Sequence, residues 1–168
     1  ALVVILLLAS GLAQATVSRD DTFAVQDTTR LQYHAVLSYP TPDAKKERAL
    51  WDADNSSSID AAEAAAYEAN ASSSRLGAPT SNLRWDGNLT HWIELGATTH
   101  GFVSTTYNGP YTLILDGMVN LTSAPGTSHT LTITNLTSYA SYGFALSLPA
   151  NWTIANVTGV SITSMSQT

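Results

Sequence analysis

Apolar and polar positions alternate with a period of two between Leu31 and Tyr39. Leu31, Tyr33, Ala35, Leu37 and Tyr39 fall on one side, and Gln32, His34, Val36 and Ser38 on the other. That pattern predicts a strand with one wetter face, ended by Pro40. The segment Thr130-Leu131-Thr132-Ile133-Thr134 repeats the alternation more cleanly, and Ala145-Leu146-Ser147-Leu148 echoes it. Further strands are expected near residues 83–85, 91–95, 102–107, 111–115, 118–122, 130–135, 143–148 and 153–163. Asp116-Gly117 stands between two apolar runs and reads as a hairpin turn. The polar stretch 20–30 reads as loop with one short strand.

The period changes after Pro40. Thr41-Pro42-Asp43 has the form of a helix start, with Thr as cap, Pro at the first position and Asp at the positive end of the dipole. A helix is expected over 42–51. A second, Ala-rich and carrying Glu63 and Glu68, is expected over 61–71. Gly77-Ala78-Pro79-Thr80-Ser81 reads as a linker. The fold class that follows is α+β: a mainly antiparallel β-sandwich with an inserted or N-terminal helix–loop–helix. The expected organisation is a leader at 1–15, a strand plus helix–loop–helix at 16–75, and a Thr-rich β-sandwich-like unit at 82–168.

The first twelve residues are an apolar run, followed by Ala13-Gln14-Ala15, which has the small-x-small form of a signal-peptidase site. The run is shorter than the about 20 residues of a membrane span. Export with cleavage after Ala15 is therefore expected, and an uncleaved N-terminal anchor is the alternative.

Composition agrees with export. The chain has 168 residues, 44% of them hydrophobic, 12% charged, and no cysteine. Its core and bound ligands must hold it without disulfides. A net charge of −6 with few, scattered Lys and Arg residues excludes a nucleic-acid footprint and gives no purchase on anionic lipid. Seven of the nine Asn residues open N-x-Ser/Thr sequons: Asn55, Asn70, Asn88, Asn120, Asn135, Asn151 and Asn156. Sequon excess without cysteine points to a prokaryotic, and more narrowly archaeal, envelope glycoprotein.

The richest chemistry lies between the two helices. Asp52-Ala53-Asp54-Asn55-Ser56-Ser57-Ser58-Ile59-Asp60-Ala61-Ala62-Glu63 sets oxygen-bearing side chains at alternate positions. Calcium, a hard cation, takes six to eight such oxygens. The segment resembles the EF-hand calcium-binding loop, a local match over residues 42–71. The resemblance implies Ca2+ ligands from Asp52, Asp54 and Ser56, a backbone carbonyl from Ser58, a water-mediated contact from Asp60, and both oxygens of Glu63. Ile59 would pack inward. Two positions depart from the family: Ser57 replaces the glycine of the sharp turn, and no second hand is visible to pair with Ile59. A Kd on the order of 10⁻⁴ to 10⁻³ M, the range of extracellular modules, is the expectation. Asn55 lies within this loop, where a glycan would crowd an ion.

Other sites have weaker support. His34, His91, His100 and His129 lack zinc-site spacing and read as turn or surface residues. There is no nucleophile elbow and no phosphate loop. Asp86, Glu94 and Asp116 could supply paired acids only by arbitrary choice. Trp85, Trp92 and Trp152 could stack on sugars but more simply fill a core. The reading is a non-enzymatic, secreted or cell-surface protein with structural calcium. The alternatives are an adhesin or carbohydrate- or protein-binding module, and a piece of an exported hydrolase. Expected partners are calcium, glycans or other envelope proteins, with membrane contact only through an N- or C-terminal anchor.

Overall fold

A computed structural model describes residues 2–6, 16–123, 125–126, 128–133 and 139–158. Along the chain these form β1 (Leu2–Leu6), β2 (Ser18–Val25), β3 (Arg30–Tyr39), α1 (Thr41–Trp51), α2 (Ala61–Ser73) and β4 (Pro79–Trp85). After them come β5 (Asn88–His100), β6 (Tyr111–Asn120), β7 (His129–Ile133), β8 (Ser141–Ser147) and β9 (Ile154–Thr158). The fold is β-rich α+β.

All described strands join one mixed sheet, in the order β8-β2-β3-β6-β5-β4-β7-β1-β9. The central pairings from β2 to β7 are antiparallel, and both ends of the sheet are parallel. One continuous hydrogen-bonded sheet stands in place of the two sheets of a sandwich. The expected boundary between 75 and 82 does not divide this sheet, because β3 pairs with β6 from Arg30↔Asn120 to Tyr39↔Tyr111. The helices are an insertion between β3 and β4.

The alternation in β3 places Leu31, Tyr33, Ala35 and Leu37 in the core, as the pattern predicts. Phe23 and Val25 join them from β2, Leu113, Leu115 and Val119 from β6, and Trp85, Leu131 and Ile133 from β4 and β7. With Trp92 and Leu95 of β5, one apolar cluster draws on six neighbouring strands, so the sheet curls around it.

Four local expectations need correction. Residues 18–25 form a full strand, because Asp21 points inward to partners described below. Residues 102–107 form no strand: Phe102 is buried, while Ser104 makes a single bridge. Asp116-Gly117 is no turn, and β6 runs straight through it. Its partner β5 carries a bulge between Trp92 and Glu94, which brings backbone over Gly117. A Cβ there would lie 2.3 Å from the Glu94 carbonyl oxygen. The glycine therefore serves a close approach of two chains, not a reversal. Finally, Pro40 rather than Thr41 caps α1, without a side-chain bond.

Leu2–Leu6 lies within the segment expected as leader and forms β1, paired in parallel with β7 and β9. Ala13-Gln14-Ala15, Asn135 and residues 159–163 lie outside the described residues.

Candidate metal centre

The loop from Asp52 to Asp60 joins the C-terminus of α1 to the N-terminus of α2. Asp60 caps α2, accepting from the backbone N–H of Ala62 at 2.8 Å and of Glu63 at 2.9 Å. Glu63 returns the contact, Oε2 accepting from the Asp60 N–H at 3.1 Å. This reciprocal capping box satisfies orphan donors at the helix start. It also turns the Glu63 side chain back over the loop, where Oε1 accepts from the Ala53 N–H at 2.7 Å.

Asp52 organises the other side. Its Oδ1 accepts from the Ser56 N–H at 3.1 Å and its Oδ2 from the Ser57 N–H at 2.9 Å. Asp54 Oδ1 also accepts from the Ser56 N–H, at 2.9 Å. The chain can wrap this tightly because Asn55 (φ 57°) and Ser57 (φ 62°) take the left-handed conformation. Ser57 adopts the backbone that the resemblance demands of a glycine, at a steric cost of about 1 kcal/mol.

The result brings together three of the six expected ligands. One carboxylate oxygen each from Asp52, Asp54 and Glu63 lies within 4.8 Å of the others. Asp52 is buried, Glu63 half-buried and Asp54 exposed. Three close carboxylates repel one another, and a hard divalent ion could be held between them. Ser56 Oγ and Ser58 Oγ hydrogen-bond to each other at 2.7 Å beside the cluster. The Asp60 carboxylate is turned to the helix terminus and is not part of the cluster.

Two residues outside the loop complete the arrangement. The Tyr107 hydroxyl donates to Asp52 Oδ2. That bond, ahead of the Ser57 N–H, holds the Asp52 carboxyl below the usual carboxylate range and pushes the Tyr107 phenol up to about 12. Ile59, fully buried, finds its partner in the β5–β6 connection. Its N–H donates to the Ser104 carbonyl at 2.7 Å, and the Ser104 N–H donates back at 2.9 Å. This isolated bridge ties the loop to the β5–β6 connection, outside the strands.

Arg48 fixes that connection. Only 1% exposed, its guanidinium donates to the carbonyls of Phe102 at 3.0 Å, Tyr107 at 2.8 Å and Gly109 at 2.7 Å, and also to that of Gly101. Neither Tyr107 nor Arg48 announces this role in sequence, since one sits in an apparent strand and the other beside Lys45 and Lys46. The only cue is an arginine on the helix face that carries Ala44, four residues apart.

The remaining candidates are scattered. His129 is buried rather than superficial, 2.9 Å from Asp86 and packed against both Trp85 and Trp152. His34 pairs with Asp116 at 2.6 Å on the surface. The acids Asp86 and Asp116 thus have separate partners. Trp85 and Trp92 are core residues. The sequon residues Asn55, Asn70, Asn88, Asn120 and Asn151 are all exposed. No helix among the described residues is long and apolar enough to cross a membrane. Comparison with protein-family models, with curated proteins and with solved structures finds no match.

Proposed function

We propose that this is a secreted or cell-surface protein, non-enzymatic, that binds one calcium ion in the loop 52–63 as a structural element. The observation that carries the proposal is the convergence of Asp52, Asp54 and Glu63 within 4.8 Å on a loop whose sixth residue, Ser57, is left-handed. Calcium rather than a softer metal follows from an all-oxygen donor set without Cys or His. The ion would tie α1, α2 and the 101–109 connection together, because Asp52, Ile59 and Arg48 each already bond to that connection. Export and glycosylation rest on the leader-like start and the sequons alone.

Terbium titration tests the reading. Tyr107 touches a ligand and Trp51 adjoins the loop, so bound terbium should luminesce on aromatic excitation and calcium should displace it. Glu63→Gln keeps the capping box, since Gln serves at that position, while removing a charge and an oxygen ligand. Asp60→Asn keeps the cap and removes a charge from a group turned elsewhere. Calcium affinity should fall more than about tenfold for the first and only a few-fold for the second. Chelation of wild type should raise hydrogen exchange in 41–73 and in 101–109, leaving β3 and β6 protected. Absence of sensitised luminescence in the wild type would refute calcium binding.

A further inference from the structure

The concave face of the sheet encloses a second feature, a cavity of about 330 Å³ that shares no residue with the acidic loop. Its walls are apolar and aromatic: Phe23, Leu83, Trp92, Leu115 and Ile133, all buried. At one end stands a built polar cluster. Asp21 accepts from Arg19 Nε, the Tyr33 hydroxyl and the Tyr142 hydroxyl, each at 2.8 Å. Arg19 donates further from Nη1 to the Tyr139 hydroxyl at 2.6 Å and from Nη2 to the Tyr33 hydroxyl.

Accounting for the hydrogens shows what this end offers. A guanidinium has five N–H groups, and three are used. The Tyr139 oxygen accepts from Arg19, and its own O–H has no acceptor among the described residues. Asp21 is already the acceptor of three bonds. The unspent groups at this end are therefore donors. Arg19 and Asp21 cancel in charge, but Arg75, exposed on the cavity lining, forms no side-chain hydrogen bond or ion pair among the described residues. Donors and a surplus positive charge beside apolar walls complement one ligand chemistry, an oxyanion on an apolar body.

We propose that this cavity is a binding site for a small monocarboxylate with an apolar or aromatic body. The carboxylate takes the spare N–H groups of Arg19 and the Tyr139 hydroxyl, with Arg75 supplying charge, and the body packs against Trp92 and Phe23. The site is independent of calcium, so its failure and that of the metal reading are separately visible.

Calorimetric titration of the full chain with phenylacetate, cinnamate and hexanoate, each beside its primary amide, tests the proposal. At least one acid should bind one-to-one and about tenfold or more tighter than its amide. Arg75→Gln and Tyr139→Phe should each weaken that acid several-fold; the thermal midpoint should stay unchanged for the exposed Arg75, and is recorded for Tyr139→Phe, which also removes a hydrogen-bond acceptor of Arg19. Arg19→Gln should abolish binding, with circular dichroism reporting whether the strand survives the loss of the partner of Asp21. A cavity filled only by water would bind none of the acids. That result would overturn the proposal, as would equal affinity for acid and amide, or unchanged affinity in both Arg75→Gln and Tyr139→Phe.

Discussion

Gly117 and Gly96 face each other's strands yet make opposite demands. A methyl on Gly117 would collide with the Glu94 carbonyl oxygen at 2.3 Å and the Trp92 ring at 3.0 Å. A methyl on Gly96 would meet only the Asp116 carbonyl at an ordinary 3.7 Å. Gly117→Ala should therefore cost about 3 kcal/mol, because backbone must give way. Gly96→Ala should be neutral or stabilise slightly by reducing the freedom of the unfolded chain. Urea denaturation of the two variants checks both. Arg48 makes a similar point about polar residues. Its planar fork reaches five separate backbone carbonyls, those of Gly101, Phe102, Tyr107, Asn108 and Gly109. Lysine would bring a single point charge with three donors, so Arg48→Lys should lose roughly 2 kcal/mol of stability. Calcium affinity should fall with it, measured by terbium competition, because the connection bearing Ser104 and Tyr107 would loosen.

At the scale of elements, legibility tracks how local the cause is. The alternation in β3 was readable because a strand with one buried face advertises its period. Both helices were readable, the first from Pro42 and the second from its Ala-rich run with Glu63 and Glu68; the capping box of Asp60 with Glu63 emerged only in the structure. The convergence of Asp52, Asp54 and Glu63 was readable because the three stand in one short stretch. β2 was not, because Arg19-Asp20-Asp21 looks like solvated loop until Tyr142, 121 residues away, is known to receive Asp21. The bulge in β5 was equally hidden. It shifts the inward phase from Trp92 to Leu95 and turns Ile93 outward, which no period in the sequence marks. Asp116-Gly117 misled because a glycine wanted for its missing Cβ looks like one wanted for a turn. Tyr107 and Arg48 were missed because their partners are set by tertiary packing.

At the scale of the molecule, the helices and the sheet belong to one packing unit. Tyr67 of α2 stacks on Phe102 at 4.5 Å and hydrogen-bonds Tyr111 of β6 at 3.0 Å. Ala44, Ile59, Ala64 and Ala71 join the same core as the strands. The two helices thus bury their apolar residues against the sheet. Short isolated helices are marginal in water. A peptide of residues 41–73 should accordingly be mostly unfolded by circular dichroism and should not sensitise terbium at concentrations that saturate the whole chain.

The Ile59–Ser104 bridge also governs which changes the gene can tolerate. Ser104 takes part through its backbone, so nearly any side chain can replace it without breaking the pair of hydrogen bonds. Its position is another matter. Gly101 and Phe102 on one side, and Tyr107 and Gly109 on the other, are pinned to Arg48, which leaves the stretch between them no slack. One residue added or removed there would carry Ser104 past Ile59 and swing Tyr107 off Asp52. Descendants of this chain should therefore vary freely in spelling along 103–106 while keeping its length.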